Sequence, residues 1–121
     1  MEVVSMVVND EFGVMQRIVG EFTRRKINIE TIVVGKCEIP GKARVVLSVK
    51  DMAMAESAVN ALKQRVHDII SIEIVDSTRH EAYALSSNNQ EKARLIGSTA
   101  EVDAIIEAAK PDKFIKAINA I

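Results

Sequence analysis

Asp10 and Gly13 are the residues of this 121-residue chain best suited to chemistry. Both lie in the run Asn9-Asp10-Glu11-Phe12-Gly13-Val14-Met15, and Asn28-Ile29, where a second strand opens, begins fifteen residues after Gly13. Asp10 supplies a carboxylate, and Gly13 lets a ligand approach the backbone without meeting a side chain. The periodic apolar residues that begin at Val14 predict a helix start, whose first N–H groups lack intrahelical acceptors and favour an anion. A free α-amino acid, with one ammonium and one carboxylate, suits this set. An ordinary Asp/Gly turn into a helix uses the same residues, so the turn alone leaves both readings open.

No other constellation in the chain carries chemistry. His67 and His80 are far apart, and no cysteine or clustered carboxylate joins them at metal-ligand spacing. The five glycines are scattered, so no phosphate-binding loop forms. Cys37 is the only cysteine; it excludes an internal disulfide, suits a reducing compartment, and reads as an ordinary strand residue between Lys36 and Glu38. Glu101 and Asp103 read as the solvated face of a helix. A net charge of −1, from 16 basic and 17 acidic residues, argues against a nucleic-acid binder, which needs a basic face. The densest basic run, Arg24-Arg25-Lys26, falls where a helix should end and compensates its dipole. No apolar run approaches the roughly 20 residues of a membrane span, and no signal peptide opens the chain, so a cytoplasmic protein without metal or cofactor of its own is expected.

The elements that must position the candidate site follow from periodicity. Glu2–Val8 is a β-branched run that reads as a buried central strand. Over Gly13–Arg25, Val14, Met15, Ile18, Val19 and Phe22 form one helical stripe, with Gln16, Arg17, Glu21 and Arg24 outside it. Asn28–Glu38 returns as a strand, Pro40-Gly41 turns the chain, and Ala43–Lys50 alternates as a third strand. A second helix over Ala53–Gln64 and a strand over Val66–Asp76 complete the order βαββαβ, the ferredoxin-like, α+β arrangement of a four-stranded antiparallel sheet with two helices on one face. The other face is left for solvent or a partner.

Residues 77–121 follow as a shorter segment: a hairpin of strands Glu81–Ser86 and Lys92–Ile96, a helix over Glu101–Ala109 capped near Gly97-Ser98-Thr99, and a strand over Phe114–Ile121. The chain thus divides into 1–76 and 77–121. A unit of about 76 residues buries only about 60% of its unfolded surface and gains from association. With only four aromatic residues (three Phe, one Tyr), the core is aliphatic. Ile105, Ile106, Phe114, Ile115 and Ile118 of the second segment are expected to be covered by the first unit or by another chain.

The run from Val7 to Ile18, with Phe22 and then Asn28-Ile29-Glu30-Thr31-Ile32, resembles the ACT domain of the small regulatory subunit of acetolactate synthase (acetohydroxyacid synthase). Leu95-Ile96-Gly97-Ser98, Val102–Ile106 and Phe114-Ile115-Lys116 resemble the later part of that family's second domain. The resemblance implies a non-catalytic homodimer that binds a branched-chain amino acid, usually valine, where two ACT domains meet side by side. It implies a catalytic large subunit as partner, with thiamine diphosphate and Mg on that subunit. Asp10, Gly13 and Asn28 fall on the family's effector-pocket positions, flanked by Val14 and Ile29. Two departures stand out. The second segment is shorter than the family's usual second domain, and Lys26 stands where the family commonly has glycine. The alternatives are a stand-alone ACT-domain amino-acid sensor with a different target, and a small enzyme such as an acyltransferase on the same frame, which hosts many functions.

Overall fold

The computed structural model describes Met1–Ile121. Its first 75 residues form β1 (Glu2–Asn9), α1 (Val14–Arg24), β2 (Thr31–Lys36), β3 (Lys42–Val49), α2 (Met52–Arg65) and β4 (Ile69–Val75). The strands make an antiparallel sheet in the order β2-β3-β1-β4. This is the expected βαββαβ fold.

Strand alternation sends Val4, Met6, Val8, Val45 and Leu47 to one face, where they pack against Val14, Ile18 and Phe22 of α1 and Ala55, Ala58 and Leu62 of α2. Asp51 caps α2 by accepting from the Met54 N–H at 2.9 Å. α1 ends differently. The Lys26 N–H donates to Thr23 O at 3.1 Å and the Ile27 N–H to Phe22 O at 3.0 Å, the paired bonds of a Schellman ending. That ending needs a left-handed residue, and Lys26 supplies it with φ 56°. Glycine adopts this conformation without strain, and the chain beyond Lys26 is fixed by burial of Ile27 in the core.

After a 3₁₀ turn at Ser77–Arg79 come β5 (Glu81–Asn88), β6 (Glu91–Gly97), α3 (Thr99–Ala109) and β7 (Lys113–Asn119). They form a second antiparallel sheet, β6-β5-β7. The hairpin is tighter than expected: only Asn89 and Gln90 separate the strands, at φ 51° and 70°, which suits a two-residue turn with both central φ positive. Ser98 caps α3 through the Glu101 N–H at 3.2 Å.

The other face of the first sheet is covered in part by this second unit of the same chain. Val3, Val46 and Val75 pack with Ala82, Ala84, Val102, Ile118 and Ala120. Ile118 is thus buried and Ile106 partly so, as expected, whereas Ile105, Phe114 and Ile115 stay exposed within the chain. A polar contact crosses the same junction: the Ile118 N–H donates to Thr31 Oγ1 at 3.4 Å, and Thr31 Oγ1 lies 2.8 Å from Ser48 Oγ.

Lys26→Gly relieves the strain of the left-handed position, which for a non-glycine residue is about 1–2 kcal/mol, less the extra chain entropy that glycine loses on folding. Urea denaturation should show a gain of roughly 0.5–1 kcal/mol; a loss would mean that the lysine side chain does more than occupy the turn.

Candidate functional site

Asp10 to Gly13 form the connection from β1 to α1. The Asp10 N–H donates to Gly41 O at 3.0 Å, which ties the connection to the turn between β2 and β3. Glu11 O accepts from the Val14 N–H at 3.3 Å and Gly13 O from the Arg17 N–H at 3.2 Å, so the helix begins directly at the turn. Gly13 has φ 83°, and a Cβ there would sit 3.2 Å from the Arg17 guanidinium. The N–H groups of Met15 and Gln16 find no acceptor within the chain, leaving donors for an anion at the start of α1. The Asp10 side chain is exposed and makes no hydrogen bond in the chain. Val14 points into the core and contributes packing to the turn.

A polar network holds this end of the sheet. The Lys42 ammonium donates to Asn9 Oδ1 at 2.6 Å, the Asn9 amide donates to Asp68 Oδ1 at 3.4 Å, and the Arg17 guanidinium pairs with the other Asp68 oxygen. Together they clamp β1, β3, α1 and the α2–β4 connection. Arg17 and then Asn9, by hydrogen bonding, hold the Asp68 carboxyl below its ordinary value. Sequence reading passes over this network because Asp68 lies 51 and 59 positions from its partners. Nearby, Arg44 grips Glu38 with two bonds of 2.7 and 2.9 Å and holds its carboxyl down at about 2.

Asn28 and Ile29 are elsewhere. The second strand, expected from Asn28, begins only at Thr31, opposite Ser48; the Glu30 N–H still donates to Ser48 O at 2.9 Å, but β3 ends at Val49, so Asn28 and Ile29 lie beyond its reach. Thr31 is level with Ser48, and Ser48 with Val3, whereas Asp10 follows Asn9 at the far end of β1. From Val3 to Asn9, at about 3.3 Å per residue, is roughly 20 Å. Within one chain, then, Asp10 and Gly13 sit at one end of the sheet and Asn28 and Ile29 at the other. Asn28 is exposed, and Ile29 packs partly against the core, as does Met15.

The edge that separates the two ends is incomplete. β2 is an outer strand with one row of backbone groups unpaired. Ile32 and Val34, on its helix-covered face, remain 39% and 49% exposed. Val19, expected in the core, is also exposed, on the flank of α1 away from α2. The opposite flank holds Glu21, which sequence periodicity assigns to solvent. It is buried, with its carboxylate 2.7 Å from Arg25 and 3.4 Å from Arg24. No group of three or more His, Cys, Asp or Glu side chains is arranged to hold a metal, and no helix is long and apolar enough to cross a membrane.

A βαββαβ sheet with a glycine turn at the start of α1 and an open β2 edge defines an ACT-type fold. Residues 4–71, more than half of the chain, match the family described as the AHAS small subunit-like ACT domain, and the chain belongs to that family. It is 38% identical over 71 residues to a probable acetolactate synthase small subunit from Methanothermobacter thermautotrophicus, covering 58% of this chain and 42% of that protein. It is 32% identical over 80 residues to the chloroplastic acetolactate synthase small subunit 1 of Nicotiana plumbaginifolia, covering 66% of this chain and 17% of that one. The match thus spans less than half the length of either relative. The crystal structure of the acetolactate synthase small subunit from Thermotoga maritima superposes with a TM-score of 0.79 at 22% identity, over 99% of this chain and 95% of that one. The hairpin–helix–strand unit is therefore part of a fold found in that structure as well.

Two measurements test the turn. Gly13→Ala should cost about 1–2 kcal/mol in denaturant titrations, from the left-handed backbone alone; no cost would mean that the turn relaxes freely. For Asp68, the folded pKa is depressed below the unfolded one, so the Arg17 pairing stabilises above the ordinary aspartate range and is lost as pH falls through the folded value. The gap in denaturation midpoint between the parent and Asp68→Asn should therefore narrow as pH drops from about 6 to about 3. A gap that stays constant would remove Asp68 from the acid response.

Proposed function

We propose that this chain is a non-catalytic regulatory subunit that pairs with a second copy through β2, binds a branched-chain amino acid, valine foremost, in the seam, and modulates an acetolactate synthase catalytic subunit. The observation that carries this reading is the separation of the candidate residues. Asp10 and Gly13 lie about 20 Å from Asn28 along the sheet, too far for one amino acid to touch both in one chain. A two-fold axis that pairs β2 antiparallel with its copy removes the separation. Centred between Val33 and Val34, the midpoint of β2, it sets Thr31 of one protomer opposite Lys36 of the partner, which brings the Asn28 end of one chain beside the other's turn at Gly41, to which Asp10 is tied.

The same pairing satisfies the open backbone groups of β2 and covers Ile32, Val34 and Val19. In such a seam the free N–H groups after Gly13 take the ligand carboxylate. Asp10 or neighbouring carbonyls take the ammonium, and the Asn28 amide from the other protomer closes the site. Ile32, Ile29 and Met15 offer an aliphatic wall to the side chain. A ligand held by two chains stabilises one arrangement of the pair over others. It would pass that preference to a catalytic partner with a coupling of about 1–3 kcal/mol, as is typical of allostery. The chemistry of the reaction, including thiamine diphosphate and Mg, belongs to that partner.

Mixing defective protomers gives a decisive test. Asp10→Ala and Asn28→Ala should each weaken valine binding measured by calorimetry. Exchanged one to one, the two variants form mixed dimers in which one site has both residues intact, and about a quarter of all sites should recover. No recovery on mixing would place the site within a single chain. Co-purification with a large thiamine-dependent subunit separates this role from that of a free-standing amino-acid sensor.

A further inference from the structure

The outer face of the second sheet combines features that the amino-acid site does not use. Register puts Tyr83, Leu85 and Ser87 of β5 on this face, with Ile96, Arg94 and Lys92 opposite them on β6 and Ala117, Ile115 and Lys113 opposite them on β7. Ile96 and Ile115 are 68% and 71% exposed, and Leu85 and Tyr83 are exposed beside them. Next to this apolar centre stand three cations, and none of them has a carboxylate within salt-bridge distance. Arg94 is the one arginine of seven in that state, since Arg17, Arg24, Arg25, Arg44, Arg65 and Arg79 are all paired, whereas Lys92 and Lys113 share it with every other lysine except Lys116. Lys92 and Lys113 flank Ser87 on either side, and Arg94 is beside Leu85. A groove of about 500 Å³ runs round this end of the sheet, lined by Leu85, Ile115, Lys92 and Lys113 of this face and by Phe114, whose register places it on the other face.

We infer that this face is a docking surface for an acidic segment of another polypeptide, whose apolar side chains seat on Leu85, Ile96 and Ile115 while its carboxylates meet Lys92, Arg94 and Lys113. Charge decides the occupant. A second copy of the same face offers only one carboxylate, Glu81, and that one already accepts the Tyr83 hydroxyl at 2.9 Å. Two copies face to face would leave most of the six cations unneutralised against one another, which disfavours that pairing. A small anion would use the cations and leave the isoleucines in water. A segment carrying both carboxylates and aliphatic side chains satisfies both halves of the surface. The surface lies on the second sheet, so its test does not depend on amino-acid binding at β2.

The experiment uses the isotope-labelled full chain and a short peptide alternating leucine and glutamate, followed by amide NMR. Peptides of the same length alternating leucine with lysine, and serine with glutamate, serve as comparisons. The leucine–glutamate peptide should shift amides within 83–87, 92–96 and 113–117. It should bind roughly tenfold more tightly than either comparison and weaken as salt rises. Arg94→Glu combined with Lys113→Glu should reverse the preference towards the leucine–lysine peptide. Leu85→Ser with Ile115→Ser should weaken all apolar binding while leaving the charge preference intact. Four results would each overturn the inference: equal affinity for serine–glutamate and leucine–glutamate, which makes the face an anion site; larger shifts of the same amides with phosphatidylserine vesicles, which makes it a membrane surface; concentration-dependent shifts there without peptide, which gives it to a second copy; and shifts confined to other residues.

Discussion

Six consecutive residues of β1, Val3 to Val8, are buried. A strand buried on both faces cannot exist in a single layer, because alternate side chains point to opposite sides. One side is met by α1 and α2, which cover Val4, Met6 and Val8. The other side needs a second layer, and the chain supplies part of it from its own C-terminal unit. Ile118 and Ala120 close over Val3, Val46 and Val75. The second sheet is in this sense a structural requirement of the first strand.

The junction between the two units is polar as well as apolar. Ser48 is fully buried, and a buried hydroxyl without a partner costs about 1–3 kcal/mol. Thr31 provides that partner through both its N–H, at 3.1 Å, and its hydroxyl. The Thr31 hydroxyl also receives the Ile118 N–H. The first residue of β2 is therefore anchored to β3 and β7 together. This holds the start of the strand in place although Asn28 and Ile29, just before it, have no ladder to join.

At the opposite end of the sheet, anchoring is ionic. Asn9, Lys42, Asp68 and Arg17 come from four separate elements and meet beside the turn at Gly13. The turn itself, with Gly13 at positive φ, is also held by backbone bonds from Asp10 to Gly41, Val14 to Glu11 and Arg17 to Gly13. Between these two anchored ends runs the bare edge of β2. Both ends of the sheet are thus pinned by side-chain contacts, while the outer side of β2 between them stays unpaired within the chain.

Much of this was legible in the residues themselves. The stripe from Val14 to Phe22, the alternation of Val45, Leu47 and Val49, and the Pro40-Gly41 turn specify helix and strand locally, since the period of burial is written into neighbouring positions. The glycine turn is likewise local, a matter of one residue's backbone, whereas the left-handed conformation of Lys26 shows only in the structure. Other features depend on which elements become neighbours in space. Glu21 looks solvent-facing by period, yet it is buried because arginines bring compensating charge to it. Asp68 carries no local sign of its link to Arg17. Asn28 is close to Gly13 in sequence, but an intervening helix carries it to the far end of the sheet. Sequence determined which residues could make a site; only the tertiary structure decided that they stand at opposite ends, because strand direction is set by pairing between segments distant in the chain.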